Sequence, residues 1–364
     1  MKTKRYLLVK LAFLLRRRYQ MIERKVLYVG LDAGSSICHV AEISKEGEVV
    51  QDKTFATSQQ NLIAAFKDRK EEIHVHLEAS ELAWWIRGIL KDLVREVVVS
   101  HAKSNAWIAK DPLKSDKLDA HKLARLLRMG EVHNVYYSDD KGRVRFKQLI
   151  QHYDDLTEQA AELKVKIKSR FRAQGIIVTG VSVYNELGRV KWIAQLESHI
   201  NKLIILQLYE LMDAALTTKN KTRKLIEQES AKYKEVELFQ EVPGVGLIAA
   251  SKFSAYVQTP DRFSSKRKLW RYCRLGITDR SSDGKPLGRR RLDWNGNGRL
   301  KDTTRKIFQG AIRSKQGNAL KKFYQESLKR CHNQTHARLS TQRKIVSVLR
   351  AMWKGGTRYI EDKG

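Results

Sequence analysis

Four acidic residues, Asp32, Glu78, Asp116 and Asp119, stand where carboxylates would suit metal chemistry. A hard divalent ion such as Mg2+, or Mn2+ in its place, takes oxygen ligands: a few carboxylates, water and substrate phosphate, with an open edge where the phosphate enters. Asp32 closes the apolar run Val26 to Leu31, and the small residues Ala33-Gly34-Ser35 after it let a backbone approach closely. Glu78 closes a second run, His74-Val75-His76-Leu77. Asp116 and Asp119 are three apart, a spacing that puts both carboxylates on one face of a helix. Taken singly each acid has a bland reading: Asp32 a turn residue, Glu78 a surface acid, Asp116 a partner of its helix dipole beside Ser115. Converged by one fold, they form a site in which one ion activates an attacking oxygen and a second stabilises the leaving one, with no side-chain nucleophile required.

The elements that must converge them are legible in the pattern. Val26 to Leu31, Ile37 to Ser44 and Val49 to Ala56 read as three strands joined by Gly-Ser and Glu46-Gly47 turns, a meander. Ser58 caps a helix through Lys67, Ile73 to Leu77 is a fourth strand, Leu82 to Val94 a helix and Val97 to Ser100 a fifth strand. The order βββαβαβ is that of the ribonuclease H fold, in which the first and fourth strands are neighbours, so Asp32 and Glu78 meet at their ends. Ser115 caps a further helix, Asp116 to Met129, with Leu118, His121, Leu123, Leu126 and Leu127 on its apolar side.

Bulk composition points to a partner. The 364 residues suffice for two or three domains, and 71 Lys and Arg against 40 Asp and Glu give a formal charge of +31. Such an excess opposes compaction unless a polyanion neutralises it, and nucleic acid is the obvious one. A mean hydropathy of -0.50 argues against an integral membrane protein. Cys38, Cys273 and Cys331 are too few and too scattered for a disulfide framework or a zinc knuckle, which fits a reducing cytosol. Residues 1–25 have the charge and apolar run of a signal peptide, but Lys10 interrupts the run, Arg16-Arg17-Arg18 follow it and no small-residue cleavage site is present. They read as a basic amphipathic extension.

Beyond Arg145 the period changes. Leu149, Tyr153, Leu156, Ala160, Leu163 and Ile167 form a heptad seam, and Val190 to Leu216 repeats the theme through Ile193, Leu196, Ile200 and Leu203. Together they predict an antiparallel helical hairpin, an internal strut or a dimerisation arm; a seam does not name its partner. Val242-Pro243-Gly244-Val245-Gly246 before Ala249-Ala250 carries the helix-hairpin-helix pattern, whose backbone N–H groups at a helix N-terminus grip a DNA phosphate; the bland alternative is a glycine-rich turn between packed helices. Between Arg262 and Lys306 stand 15 Lys and Arg against 4 Asp, a concentrated phosphate-binding surface. Within it, Leu275 to Lys285 reads as a polar loop. A hydroxyl there sits among cations able to stabilise its alkoxide, although most such serines are solvated loop residues.

Gly30-Leu31-Asp32, Leu77-Glu78-Ala79, Ser115-Asp116-Lys117-Leu118-Asp119-Ala120, Pro243-Gly244-Val245-Gly246, Phe263, Leu275-Gly276 and Ser282-Asp283-Gly284-Lys285 together resemble the DEDD-type insertion-sequence transposases, the bridge-RNA-guided recombinases. The resemblance runs in the family's order over nearly all the chain beyond residue 25. It implies a RuvC-like domain, a coiled-coil insertion and a C-terminal transposase domain with a serine nucleophile. On that pattern Ser282 attacks a DNA phosphate to form a phosphoserine link while Asp32, Glu78, Asp116 and Asp119 hold Mg2+. It further implies a structured noncoding guide RNA that pairs with target and donor DNA, and a homo-oligomer, dimer or tetramer, in which one subunit's RuvC-like domain completes its site with another's serine. The sequence departs from the pattern at Asp283, where the family has glycine, and at Asn295-Gly296-Asn297-Gly298-Arg299. Ser281 adjoins Ser282, so the nucleophile is either of two neighbours. Lys285, Arg289 and Arg290 are phosphate contacts or plain surface charge.

The expected architecture is thus a basic extension (1–25), an α/β ribonuclease-H-like, RuvC-like domain (26–144), an α-helical coiled-coil region (145–240) and a mainly α C-terminal domain with a helix-hairpin-helix (241–364). The expected activity is RNA-guided, site-specific strand exchange on double-stranded DNA that mobilises the chain's own insertion sequence, in a prokaryotic cytoplasm at the nucleoid and at no membrane. The rivals are a Holliday-junction resolvase using metal-activated water and a non-catalytic architectural nucleic-acid binder.

Overall fold

The computed structural model describes residues 25–101, 116–278, 281–282, 285–286 and 291–361. The chain divides into two compact units, Met1–Tyr137 and Ser138–Gly364.

In the first unit β1 (Val26–Ala33), β2 (Ile37–Ser44) and β3 (Val49–Ala56) form the meander. Helix α1 (Gln59–Phe66) follows, capped by the Ser58 hydroxyl, which accepts from the Asn61 N–H. Then come β4 (Glu72–Glu78), α2 (Ala83–Leu90), β5 (Glu96–Ser100) and, past a segment outside the described residues that includes Ser115, α3 (Asp116–Met129). The sheet order is β3-β2-β1-β4-β5, with β2 antiparallel to β1 and β4 and β5 parallel to it and to each other. This is a ribonuclease-H-like arrangement.

Period-2 alternation divides the sheet's faces. Leu27, Val29 and Leu31 on β1 and Ile73, Val75 and Leu77 on β4 join Leu62, Phe66, Ile86 and Leu90 in one core under α1 and α2. The intervening positions, Gly30 and Asp32 on β1 and His76 and Glu78 on β4, lie on the other face. There α3 packs on a stripe shifted from the expected one: Leu123 is buried as expected, together with Ala120 and Ala124, whereas Leu118 is exposed and His121 half-buried. The cause is the close approach at Gly30, where a Cβ would stand 1.9 Å from the Ala120 carbonyl oxygen and 2.5 Å from the Ala124 nitrogen. Only alanines on the helix and glycine on the strand allow two backbones so near.

The second unit begins with α4 (Lys141–Arg172), capped by Asp140, and returns through α5 (Glu186–Ala194), α6 (His199–Ser230) and α7 (Lys234–Gln240). The stretch expected as one helix from Val190 is two, because Asn185 caps α5 and Ser198 caps α6, so the chain stops and restarts between them. Helices α4 and α6 run antiparallel. The seam on α4 holds at Tyr153, Leu156, Ala160 and Ile167, while on α6 the buried positions are Ile205, Tyr209, Met212 and Ile226, and Ile200 and Leu203 face solvent.

The remainder packs around Phe239, Phe253, Leu269, Ile307 and Ile345. Its helices are α8 (Leu247–Val257), α9 (Lys266–Tyr272), α10 (Gly298–Arg313), α11 (Ala319–Cys331) and α12 (Gln334–Gly355). Between α9 and α10 the described residues include four short strands: β6 (Ile277–Thr278), β7 (Ser281–Ser282), β8 (Lys285–Pro286) and β9 (Arg291–Leu292). Buried Asp154 of α4 accepts from Lys252 and from the Tyr256 hydroxyl (2.6 Å) of α8, and Arg299 of α10 reaches the neighbouring Asp155 (2.6 Å), so the long hairpin is locked to these helices by ions as well as apolar packing. No described helix is long and apolar enough to cross a membrane.

Candidate active site

Strand register brings Asp32 and Glu78 together. Leu31 pairs with Leu77 in the parallel β1–β4 ladder, so the next residues, Asp32 and Glu78, stand side by side at the strands' C-terminal ends, on the face covered by α3. Adjacent strands lie about 4.8 Å apart, which puts two carboxylates within reach of one cation.

Helix α3 runs antiparallel to β1. Its far end lies by the β2–β3 turn, where the Arg128 guanidinium donates to the Lys45 carbonyl, so its first turn, with Asp116 and Asp119, lies toward the Asp32 end. Asp116 Oδ2 is 3.8 Å from His39 Nε2, and His39 is the residue paired with Asp32 across β1 and β2. Asp119, mostly shielded, approaches the Lys122 ammonium at 3.5 Å.

Two side chains unnoticed in the sequence hold the helix in place. His76, wholly buried on β4, bonds the Leu123 carbonyl through Nδ1 and the Ser100 hydroxyl through Nε2, each at 2.8 Å. A carbonyl only accepts, so Nδ1 carries a proton. Burial depresses the imidazole pKa, and the backbone bond to Leu123 only partly offsets it. Asp52 of β3 receives Lys117 (3.0 Å) and His121 (2.9 Å) from α3. The signal for His76 was its place between apolar residues, which a strand pattern hides.

The acids thus share one face and one end of the sheet. Among the described residues, no three His, Cys, Asp or Glu side chains yet converge closely enough to enclose an ion. The donor chemistry fits a hard divalent cation: carboxylate oxygens, with the one nearby sulfur kept protonated. Burial raises the Cys38 thiol pKa, the Thr57 hydroxyl opposes this, and the Asp32 charge adds to the rise.

In the second unit the glycines of Val242 to Gly246 do different work. Gly244 has φ +84, and a Cβ there would lie 2.3 Å from the Ile307 carbonyl oxygen of α10; its freedom seats the turn on that helix. Gly246 caps α8, and a Cβ there would meet open space. Ser282, expected in a polar loop, belongs instead to a β-hairpin: Ser281 pairs with Pro286 and Ser282 with Lys285. A separate antiparallel pairing, Ile277 with Leu292 and Thr278 with Arg291, flanks it in the sequence. The dipeptide Asp283-Gly284 is a hairpin signal that could have revealed this. Arg289 and Arg290 lie outside the described residues.

Comparison with protein families places both halves. A model of the DEDD transposase of IS110 type matches residues 29–173, and that of the Transposase IS116/IS110/IS902 family matches residues 236–325. No curated protein matches the chain. The first match spans Asp32, Glu78, Asp116 and Asp119, the second Gly244, Gly246, Ser282 and Lys285. Fold and matches define a transposase, an enzyme that cleaves and rejoins DNA. Within that class the chain belongs to the IS110-type DEDD transposases. A domain of this type uses a divalent metal.

Proposed function

We propose that this chain is an RNA-guided recombinase that moves its own insertion sequence through a phosphoserine intermediate. The observation that carries the reading is the register that sets Asp32 beside Glu78 beneath the first turn of α3, in a chain that also matches a transposase family around Ser282. Asp32, Glu78, Asp116 and Asp119 hold Mg2+, with Mn2+ as its substitute. When bound, the metal supplies positive charge that neutralises the scissile phosphate.

The chain's own residues do the rest. Ser282 Oγ attacks a phosphorus of double-stranded target or donor DNA. The new Ser–O–P bond forms as a P–O bond of the strand breaks, the departing strand end leaves as a hydroxyl, and the serine proton passes to water. A hydroxyl from the other DNA then attacks the phosphoserine, restoring the serine and joining the strands. Lys285, directly across the hairpin from Ser282, together with Arg289 and Arg290, neutralises the phosphate, and the α8 N-terminus at Gly244 and Gly246 grips the backbone through a helix-hairpin-helix. A structured noncoding guide RNA selects target and donor, and a dimer or tetramer pairs the acids of one subunit with the serine of another. The setting is the prokaryotic nucleoid.

The test is trapping. With Mg2+ and cognate DNA, the native chain gives a protein–DNA adduct on a denaturing gel, Ser282→Ala gives none, and Asp119→Asn loses cleavage while retaining affinity for nucleic acid. Cleavage without an adduct sinks the serine mechanism, and loss of the adduct in Ser281→Ala alone moves the nucleophile by one residue. RNA sequenced from the purified protein shows one recurrent species if the guide reading holds.

A further inference from the structure

Trp294 is 71% exposed, in a protein whose other described C-terminal aromatics are largely packed, and its backbone is held firmly. On one side Asp293 is buried, accepts from Arg271 Nε and Nη2 at 3.1 Å each, and caps the turn by accepting from the Asn295 N–H at 2.8 Å. The Asp293 N–H in turn donates to the Gly276 carbonyl at 2.9 Å. On the other side Gly296 has φ +117, with no room for a Cβ against the Tyr272 carbonyl, and the Asn297 N–H donates to that same carbonyl at 2.6 Å. A loop fixed at both flanks thus holds its largest apolar side chain out in water.

The surroundings are cationic. Lys301 Nζ lies 4.8 Å from the Trp294 ring centroid. A groove of about 290 Å³ opens alongside, lined by Leu292, Lys301, Arg305, Arg338 and Gln342 among others. Its acid, Asp302, is taken by Arg305 and Lys306 at 2.6 Å each. Lys301, Arg338 and Arg291 have no carboxylate partner among the described residues. Burial, with the charges of Arg274 and Arg338 adding to it, holds the Lys301 ammonium below its ordinary pKa.

A rigid exposed indole flanked by uncompensated cations fits one ligand chemistry: an aromatic base bearing a phosphate. In an intact duplex the base faces are covered by their neighbours. We propose that Trp294 is a stacking platform for an unpaired base of DNA, whose flanking phosphates lie on Lys301 and Arg338. Its position names the strand. Trp294 follows β9, whose partner β6 directly precedes the segment with Ser282 in the sequence, so on the strand-exchange reading the base it holds belongs to the strand under attack. This placement rests on the strand-exchange reading above; the stacking itself does not.

The measurement is anisotropy of the full chain at fixed salt with four labelled probes: a single-stranded deoxyoligonucleotide, the same strand made abasic, its duplex, and the RNA of the same sequence. Stacking on one aromatic is worth roughly 5- to 150-fold in affinity. Trp294→Ala weakens the single strand by that factor and leaves the abasic strand and the duplex within about twofold, while Trp294→Phe stays close to native. The expected fall of native tryptophan fluorescence as the strand binds loses the share due to Trp294 in Trp294→Phe, a readout that needs no alanine variant to fold. Equal weakening of duplex and single strand makes Trp294 a wedge and overturns the proposal. Unchanged single-strand affinity also overturns it, and sensitivity confined to RNA overturns the assignment to DNA. If Trp294→Ala binds as the native chain does while the Ser282 adduct still forms, the platform fails and the strand-exchange reading stands. If the native chain gives no adduct yet Trp294→Ala loses the single strand, the reading fails and the platform stands.

Discussion

Both units of this transposase seat a helix backbone on a glycine, and they do so by different means. In the first, Gly30 lies in a regular strand and is glycine for space alone: α3 rests on it through Ala120 and Ala124. In the second, Gly244 lies in a tight turn at φ +84 and is glycine for space and backbone conformation together, with α10 resting on it near Ile307 and Gly310. The first contact sets the height of Asp116 and Asp119 above the sheet. The second sets the turn that begins α8. A close approach thus serves the candidate site in one unit and the framework in the other.

Substitution separates the two. Gly244→Ala carries the largest expected effect, because a forced left-handed backbone adds roughly 1–3 kcal/mol to an overpacking cost of about the same size; the transition that falls in calorimetry is that of the second unit. Gly30→Ala carries only the overpacking, about 1–3 kcal/mol, but lifts α3 and with it two of the acids, so metal-dependent cleavage falls much further than stability does. If Gly30→Ala cleaves DNA as the native chain does, the seat does not set the acids.

A smaller effect belongs to Glu42, buried on β2 and held by Arg69 (2.9 Å) and Lys53 (2.8 Å). Burial pushes its pKa up, but the bonds from Arg69 and Lys53 outweigh burial and leave it below the ordinary 4.5. A depressed carboxylate stabilises the fold above its unfolded pKa and loses that contribution as pH falls through the lower, folded value. Melting of the first unit therefore weakens below about pH 4.5, and Glu42→Gln both flattens this dependence and costs about 1.5 kcal/mol at neutral pH. Gly246→Ala is the smallest, within about 1 kcal/mol, because its Cβ enters open space; an effect as large as that of Gly244→Ala would erase the contrast between the two glycines of the turn.

How much of this was legible depended on whether local signals decided the outcome. Strands β2 and β3 and helix α3 follow their sequence patterns to the residue, because alternation, turn dipeptides and caps act locally. The buried face of α3 follows its pattern only at Leu123. Leu118 and His121 look like core on a helical wheel, yet beside the expected Leu123 the side chains that bury are alanines, and their reason, Gly30, lies in another element. His76 escaped for the same reason: its role exists only once Leu123 and Ser100 come to it. On α6 the apolar period continues through Ile200 and Leu203, which remain exposed, since periodicity states that a stripe exists and not what covers it. Asp32 and Glu78 were readable as neighbours because strand order supplies the register. Nothing local distinguishes Trp294 from a core residue.

The seat at Gly30 also bears on time. Gly30 and Ala120 are separated by 90 residues, and the whole sheet is synthesised before α3. Contacts that distant form late, after the strands they join. A chain still on the ribosome therefore carries Asp32 and Glu78 without their helix, and the acids of the first unit assemble only when α3 has emerged and docked. Synthesis order itself delays the meeting of these acids until their domain is complete.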